Sequence, residues 1–270
     1  MAIVTISRGS GSGGQRLAER LAETLGYELV SREDVVEAAT AYGVPGDKLR
    51  EALVAAPGFW DRFKHERRRY LAVVQAGLCE RVQGGRVVYH GNAGHLLLHG
   101  VSHVLCMRLI APMEMRVKLV MEREGVTSNE AARIIEEVDT ERKNWTSFLY
   151  AVDWLDPSFY DLTINLRTLD VDGAVRIAAE AVRSREFEPT EASRQALADL
   201  TLASRVQAAL ATNEATASAD VEVHADHGLV FLKGRLRESS LVTSVIEVTQ
   251  KIEGVNEVDR DQLGAPDLLV

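Results

Sequence analysis

The sequence predicts an α/β protein, a parallel sheet flanked by helices, followed by a small α+β domain of element order αββαβ. Three observations support this prediction. A β-branched run at 3–8 leads into a loop rich in glycine and serine, and an amphipathic helix starts directly after it. Strands then alternate with helical patterns to about residue 185, which is typical of a parallel sheet with right-handed crossovers. After a change of composition at 187–192, two alternating runs flank a tight turn.

The elements of the first part follow from apolar periodicity and from glycine, proline and capping residues. The first helix is predicted to end near Leu25, with Gly26 as its stop. Tyr27–Val30 is predicted to be extended, and Ser31 to cap a second helix that has acids in its first turn. The later predicted elements are a helical stop at 43–46, helices at 47–54 and 59–82, strands at 86–90 and 104–110, helices at 113–123, 128–138 with Ser128 as N-cap, and 145–154, a strand at 160–165 and a helix at 170–185.

The second part has its own rhythm of elements. It predicts a helix at 193–211, strands at 220–224 and 229–234, a helix at 239–252 and a last strand starting at 254–258. The tripeptide Asp226-His227-Gly228 between two alternating runs favours a hairpin turn. We therefore expect two domains, at 1–186 and 193–265, joined by a linker at 187–192.

Composition limits the classes of function. A net charge of −9 over 270 residues argues against wholesale electrostatic binding to nucleic acid. No run reaches the roughly 18 apolar residues of a membrane span, and no basic leader precedes an apolar stretch, so we expect a cytoplasmic protein without a transmembrane segment. Cys79 and Cys106 both lie in apolar patterns, which predicts buried, reduced thiols.

The loop after the first strand is the candidate anion site. A strand, a glycine loop and a helix N-terminus together form a phosphate-binding layout, in which backbone N–H groups and the helix dipole hold the anion. In the common pattern G-x-x-x-x-G-K-[ST], the lysine reaches the β- and γ-phosphates and the hydroxyl binds Mg²⁺. Gly14 and Gln15 stand at those two positions. The residues predicted to contact phosphate are Gly9, Ser10, Gly11, Ser12, Gly13, Gly14 and Gln15.

Residues 1 to about 185 resemble the cytidylate-kinase-like family of P-loop proteins. The matching motifs are Ile6–Arg8, Gly11–Gly14, Arg32–Glu33, Met107–Pro112, Arg116 with Met121–Gly125, Asp139 with Arg142, Val152–Trp154, Asp156–Pro157 and Tyr160–Asn165. This family is similar to bacterial cytidylate kinases, which transfer the γ-phosphate of ATP to CMP or dCMP with Mg²⁺. The resemblance implies a helical lid, a nucleotide substrate and, if the protein is active, ATP and Mg²⁺ as cofactors.

The resemblance also implies roles for particular residues. Arginines would offset the missing lysine, and glycine at position 14 is usual in the family. The implied catalytic residues are Arg8 at the loop mouth, Arg16 at the helix start, and Arg116 and Arg142 in the lid segment. The implied substrate-binding residues are Ser31, Arg32, Gly91, Asn92 and Asp139. Ser31 and Asn92 stand where the family has an acid and an arginine, and Gln15 stands where it often has an arginine.

No protein-held metal site is predicted. Ser10 or Ser12, with Asp139 through a water molecule, are weak candidates for binding Mg²⁺. His95 and His99 lie four residues apart, but no cysteine or acid completes a zinc set, so we expect them at the surface or at a helix cap. Ion pairs along helices are an alternative role for Arg123, Arg133 and Arg142.

Residues 193–265 resemble a BON domain. The matching residues are Leu202, Val206, Leu210, Val221, Val223, Gly228, Val230–Gly234, Gly254–Val255 and Val258. The resemblance implies contact with a membrane surface, a small ligand or a protein.

Two hypotheses about function stay open. One is a nucleotide-binding protein resembling a nucleoside monophosphate kinase, with transfer to a CMP- or dCMP-like acceptor. The other is a catalytically degenerate domain that senses a nucleotide or acts as a scaffold, while the BON domain binds a lipid, an ion or a protein partner. The apolar face of the helix at 59–82 leaves a homodimer open as well.

Overall fold

The computed structural model describes residues 2–54, 64–91, 93–150 and 152–265, without the side chains of 51–54, 64–68, 145, 148 and 149. Its contacts divide the chain into two compact units. The first consists mainly of 2–34 and 84–190, and the second of 35–52, 64–83 and 191–265. The described stretches 35–52 and 64–83 thus group with the second unit, whereas the predicted domains at 1–186 and 193–265 assign them to the first. Those domain boundaries stay a prediction.

The first unit contains the predicted parallel sheet, with five strands, of which the one at 28–31 was predicted only as an extended piece. They are β1 (Ile3–Arg8), β2 (Glu28–Ser31), β3 (Val87–His90), β4 (Val104–Ile110) and β5 (Leu162–Asn165). Their order is β2-β3-β1-β4-β5. Because the strands are parallel, the chain leaves β1, β2 and β3 at the same edge of the sheet, which is where ligands bind in open α/β folds.

The described residues form ten α-helices, which flank the two sheets. They are α1 (Gly14–Leu25), α2 (Arg32–Ala39), α3 (Gly46–Val54), α4 (Lys64–Val82), α5 (Gly94–Leu97), α6 (Met113–Glu124), α7 (Ser128–Tyr150), α8 (Val171–Arg183), α9 (Glu191–Thr212) and α10 (Ser239–Gln250). The predicted start of the long helix at 59 lies outside the described residues.

One face of the five-stranded sheet packs against α1 and α8. Leu17 and Leu21 of α1 are fully buried there, together with Ile6 of β1. The helix ends follow the predicted local signals: Gly26 is a left-handed C-cap of α1. Asp170 Oδ1 accepts a 2.7 Å hydrogen bond from Gly173 N at the start of α8. This packing fixes the N-terminus of α1 over the end of β1.

The segment between 128 and 154 differs from the prediction. One continuous helix, α7, replaces the two predicted at 128–138 and 145–154, because no glycine or proline interrupts the sequence between them. Trp154 lies in a turn beyond the helix. The N-cap is Thr127, and the predicted cap Ser128 is wrong: Glu130 accepts from Thr127 N at 2.9 Å, and Thr127 Oγ1 accepts from Glu130 N at 3.4 Å, which is a capping box.

The second unit contains a three-stranded sheet of β6 (Glu222–Asp226), β7 (Leu229–Arg235) and β8 (Glu257–Gly264). β6 and β7 form the predicted antiparallel hairpin, and β8 pairs with β7 in parallel. His227 and Gly228 in the turn have φ values of 49° and 86°, as a two-residue type I′ turn requires. Residues of α9 and α10 cover this sheet with an apolar core that includes Val206 and Val245.

The helices of the second unit pack on one another as well. Glu80 of α4 lies 3.6 Å from Arg205 of α9 and accepts a 2.7 Å hydrogen bond from Tyr42. A Cβ atom at Gly77 of α4 would lie 3.0 Å from the backbone of α2, so α4 and α2 pack closely at this glycine. Within the described ranges, no helix combines the length and apolar composition that a membrane crossing needs.

Candidate functional site

The loop between β1 and α1 presents a row of backbone donors. Gly11 and Gly13 adopt left-handed conformations, with φ values of 70° and 79°, and Gly13 is the N-cap of α1. The loop is closed from within, because Ser12 donates to Gly9 O through its N–H at 3.3 Å and its hydroxyl at 2.8 Å. Among the described residues, no hydrogen-bond partner exists for the N–H groups of Gly11, Gly13, Gly14, Gln15 and Arg16. Such a row at a helix N-terminus can bind an anion.

A cleft of about 640 Å³ opens above this loop, within the usual size range of ligand pockets. Besides the loop, its lining residues are Arg8, Arg16, Glu19, Leu119, Glu122, Arg123, Val138 and Arg142. Arginines outnumber glutamates four to two in this lining, and Glu19 is engaged with the Gln15 amide at 3.0 Å. The cleft is therefore locally basic in a protein of net charge −9.

Arg8 and Arg142 supply buried positive charge. Arg8 Nη1 donates to His90 O at 3.2 Å, and no described carboxylate lies within ion-pair distance of Arg8. Arg142 Nη1 donates to Arg8 O at 2.7 Å, while its distance to Asp139 Oδ1 is 4.0 Å. Burial lowers the pKa of Arg8, and burial together with the neighbouring Arg8 charge lowers the pKa of Arg142 to about 10. A bound anion would relieve the desolvation of both guanidinium groups.

Asp139 and Arg116 hold the loop backbone. Ser10 N donates to Asp139 Oδ1 at 2.8 Å, and Arg116 Nε donates to Ser10 O at 2.7 Å. Arg116 Nη2 and Asp139 Oδ2 form an ion pair. The loop also lies very close to α6, since a Cβ atom at Gly11 would be 2.8 Å from Arg116 O. The lid segment, α6 and α7, is thus fastened to the loop at this point.

Three of the residues predicted to bind the acceptor, Ser31, Arg32 and Gly91, lie at or just beyond one end of β2 and β3, where Ser31 is in register with His90. Ser31 forms the predicted helix cap, because its hydroxyl donates to Asp34 at 2.7 Å and accepts from Asp34 N at 3.2 Å. Arg32 Nη2 donates to Glu33 at 2.8 Å. A Cβ atom at Gly91 would overlap the hydroxyl of Tyr89, so only glycine fits there.

The structure does not place all five predicted acceptor residues in this group. Asn92 lies outside the described residues. Asp139 contacts the phosphate-binding loop instead.

The structure adds a buried polar group next to the cleft. His95, expected at a surface or cap, is only 5% exposed. Its Nδ1 lies 3.1 Å from Ser7 Oγ and its Nε2 lies 3.4 Å from Tyr160 Oη. Burial and the nearby Arg108 charge lower the pKa of His95 to about 4, so the ring is neutral at pH 7. Tyr160 Oη donates to Trp154 O at 2.9 Å.

This group borders a cavity of about 20 Å³, large enough for one water molecule. Arg8 and Arg142 line it, as do Ser7, His95 and Trp154. Sequence reasoning missed the group because its members are up to 153 positions apart between Ser7 and Tyr160. The available signal was that Ser7, Trp154 and Tyr160 all belong to the family motifs. In the described part of the chain, no three His, Cys, Asp or Glu side chains are placed to hold a metal ion.

Comparison with known proteins agrees with this architecture. The sequence profile of the cytidylate kinase-like family matches residues 3–168, and the profile of the BON domain matches residues 198–263. The cytidylate kinase of Pyrobaculum calidifontis is 27% identical over 183 residues, which cover 67% of this chain and 93% of the relative. The cytidylate kinase of Pyrobaculum arsenaticum is 28% identical over 181 residues, 67% of this chain and 92% of the relative.

A solved structure shares the fold of the first unit. The crystal structure of an uncharacterized protein from Eubacterium ventriosum aligns with a TM-score of 0.54 and 23% identity, over 68% of this chain and 100% of that one. The family profile spans more than half of the sequence and includes the loop, the acceptor edge and the whole lid segment. The chain therefore belongs to the cytidylate kinase-like family and carries a BON domain in its C-terminal part.

Proposed function

We propose that this protein is a nucleoside monophosphate kinase that transfers the γ-phosphoryl group of ATP to CMP or dCMP. The observation that supports it best is the set of open N–H donors at Gly11 and at 13–16 beneath a cleft with surplus arginine charge. Phosphoryl transfer depends mainly on positioning and on positive charge around the moving group. Both are features of this cleft. The naming of two similar proteins as cytidylate kinases supports the choice of acceptor.

The parts of the site have distinct tasks in this proposal. The triphosphate lies on the loop, with Arg8 and Arg142 toward the γ-phosphate. The acceptor enters at the ends of β2 and β3, near Ser31 and Gly91. An oxygen of the acceptor phosphate attacks Pγ, the bond from Pγ to the β–γ bridging oxygen breaks, and ADP leaves with CDP or dCDP as the second product.

The loop fits phosphate better than it fits a protein-held magnesium ion. Gln15 replaces the usual hydroxyl ligand and donates its amide to Glu19. Ser12 Oγ donates to Gly9 O and the residue is 2% exposed, while Asp139 is committed to Arg116. Ser10 Oγ has no partner in the described chain, but one hydroxyl is a poor site for Mg²⁺. We expect Mg²⁺ to arrive with ATP, held by phosphate oxygens and water.

The test measures ADP release with ATP, Mg²⁺ and either CMP or dCMP, with UMP and AMP for comparison. We expect release that depends on the cytidine nucleotide and is lost in Gly13→Ala, because alanine is strained at a φ of 79°. Gly84→Ala is the matched control, since a Cβ there meets nothing within 4 Å and its φ is not left-handed. Absence of both turnover and nucleotide binding at millimolar concentrations would exclude the proposal.

The second candidate is a nucleotide sensor without transfer activity. It is favoured by Gln15 and by the use of the Ser10 N–H for Asp139, which removes one donor from the anion site. ATP binding without acceptor-dependent ADP release would select this function. Partner binding by the BON domain stays a prediction in both cases.

A further inference from the structure

We infer that Arg8 and Gly14 have exchanged the roles of the first glycine and the lysine in the phosphate-binding loop, so that the Arg8 guanidinium contacts the β- and γ-phosphates. The inference rests on the proposed function, because it assumes that a nucleoside triphosphate binds at this loop. It assigns the lysine role to one residue and explains why position 14 is glycine.

Alignment of residues 8–15 with the common motif G-x-x-x-x-G-K-[ST] shows the exchange. Gly13 matches the second glycine, so Gly14 stands at the lysine position and Arg8 stands at the first glycine position. The usual pattern has glycine first and the cation seven positions into the motif. This chain has the cation first and glycine at the later position. At the first and seventh positions of the motif, both patterns have one cation and one glycine, but in opposite order.

The structure shows why the two positions depend on each other. A Cβ atom added to Gly14 would overlap Arg8 Cδ and lie 3.0 Å from both Arg8 Cβ and Arg8 Cγ. Gly14 is the first residue of α1 and its φ is not in the left-handed region, so its backbone conformation would accept alanine. The three atoms nearest to such a Cβ all belong to the Arg8 side chain, which must move before a larger residue fits at position 14.

Arg8 is held where a phosphate-binding cation is needed. Its guanidinium donates to His90 O at 3.2 Å, and its carbonyl accepts from Arg142 at 2.7 Å. It lines the same cleft as Gly11 and 13–15, whose N–H groups are open. A guanidinium has several N–H donors in a fixed fork, so it can keep the bond to His90 O and still donate to phosphate oxygens. An ammonium group from position 14 would approach from the helix side.

The test is a double-mutant cycle on ATP affinity, measured by isothermal titration with the full-length protein. Arg8→Ala is expected to weaken ATP binding by roughly tenfold or more, the range of a charge-assisted hydrogen bond to phosphate. Gly14→Ala is expected to weaken it similarly, because the added methyl group displaces Arg8. In the Arg8→Ala background, Gly14→Ala is expected to cause little further loss, since the overlapping Cδ and the Cγ of Arg8 are gone and only the contact with its Cβ at 3.0 Å remains.

A swap variant, R8G/G14K, restores the usual order of the motif. We expect it to bind ATP at least several-fold more tightly than Arg8→Ala. Gly84→Ala serves as the control for a glycine substitution without neighbours, and circular dichroism checks that each variant is folded. If the swap variant does not fold, the cycle of Arg8→Ala and Gly14→Ala decides alone.

Three results would overturn the inference. Arg8→Ala could bind ATP like the wild type, Gly14→Ala could do so, or the two losses could add independently in the double variant. If the wild type binds no ATP, the proposed function fails first and the inference fails with it. The wild-type titration therefore distinguishes the two kinds of failure.

Discussion

The pH dependence of stability tests the buried environment of His95. The ring is 5% exposed, it faces Ser7 and Tyr160, and the Arg108 charge lies nearby. Burial and that charge lower its pKa from 6.5 in a free side chain to about 4 in the folded protein. Between pH 6.5 and pH 4, His95 is therefore mostly protonated in the unfolded chain and mostly neutral in the folded protein. The stabilising effect is present above pH 6.5 and is lost as the pH falls toward 4.

The size of the effect follows from the two pKa values. One pKa unit corresponds to about 1.4 kcal/mol, so the full difference is worth roughly 3 kcal/mol. At pH 5 most unfolded chains carry the proton on His95 and most folded molecules do not. We therefore expect His95 to lower the free energy of unfolding by about 2 kcal/mol between pH 7 and pH 5.

The assay compares urea unfolding of the wild type and His95→Gln at both pH values, followed by circular dichroism and tryptophan fluorescence. Glutamine does not titrate, so the pH-dependent loss in the variant is expected to be smaller by about 2 kcal/mol. His99→Gln, at an exposed position four residues later, is the control and keeps the wild-type pH dependence. Equal pH dependence in the wild type and His95→Gln would refute the reasoning.

Three further predictions concern the contacts of Asp139 with the phosphate-binding loop, the close approach of α4 to α2 at Gly77, and the two thiols. Asp139→Asn removes the charge paired with Arg116 and is expected to cost about 2 kcal/mol of unfolding free energy, whereas Glu141→Gln, exposed on the same helix, is neutral in urea unfolding. Gly77→Ala places a methyl group 3.0 Å from the backbone of α2 and is expected to cost about 1–3 kcal/mol; an unchanged melting temperature would contradict this. Burial raises the pKa of the Cys79 thiol to about 12 and that of Cys106 to about 11. Neither thiol is expected to react with Ellman's reagent at pH 8 until the protein is unfolded in urea, and rapid labelling of the native protein would exclude that.

Several local features of the fold could be predicted because their causes lie within a few residues. Gly26 ends α1 since it adopts a left-handed conformation without steric cost. His227 and Gly228 form the turn whose geometry joins two antiparallel strands.

Other local features were predicted wrongly because two signals competed. Thr127 and Ser128 are both good N-cap residues, and only the spacing to Glu130 selects Thr127. The helix α7 continues through 139–144, where a polar stretch looked like a loop. No glycine or proline interrupts that stretch, and packing of the hairpin that α7 forms with α6, through Ile135 and Val120, supports the continuation.

The candidate site also has one part that the sequence could predict and one part that it could not. The glycine loop was recognisable from sequence because the strand, the loop and the helix are consecutive. The clamp of Arg116 and Asp139 on Ser10 joins residues more than 100 positions apart, and sequence reasoning gave those two side chains catalytic and substrate-binding roles. Those roles stay untested, while the contacts with the loop backbone are a property of the fold.

The sequence by itself determined the order of strands and helices, the family, and the presence of a loop rich in N–H donors. It could not determine what the missing lysine means, because that depends on which side chain occupies the space above Gly14. Only the tertiary structure places the side chain of Arg8 there and brings Arg142 to its carbonyl. The physical reason is that local conformation depends on neighbouring residues, so the sequence can predict it. Steric exclusion and buried charge depend on segments that come into contact only when the sheet and its helices have assembled.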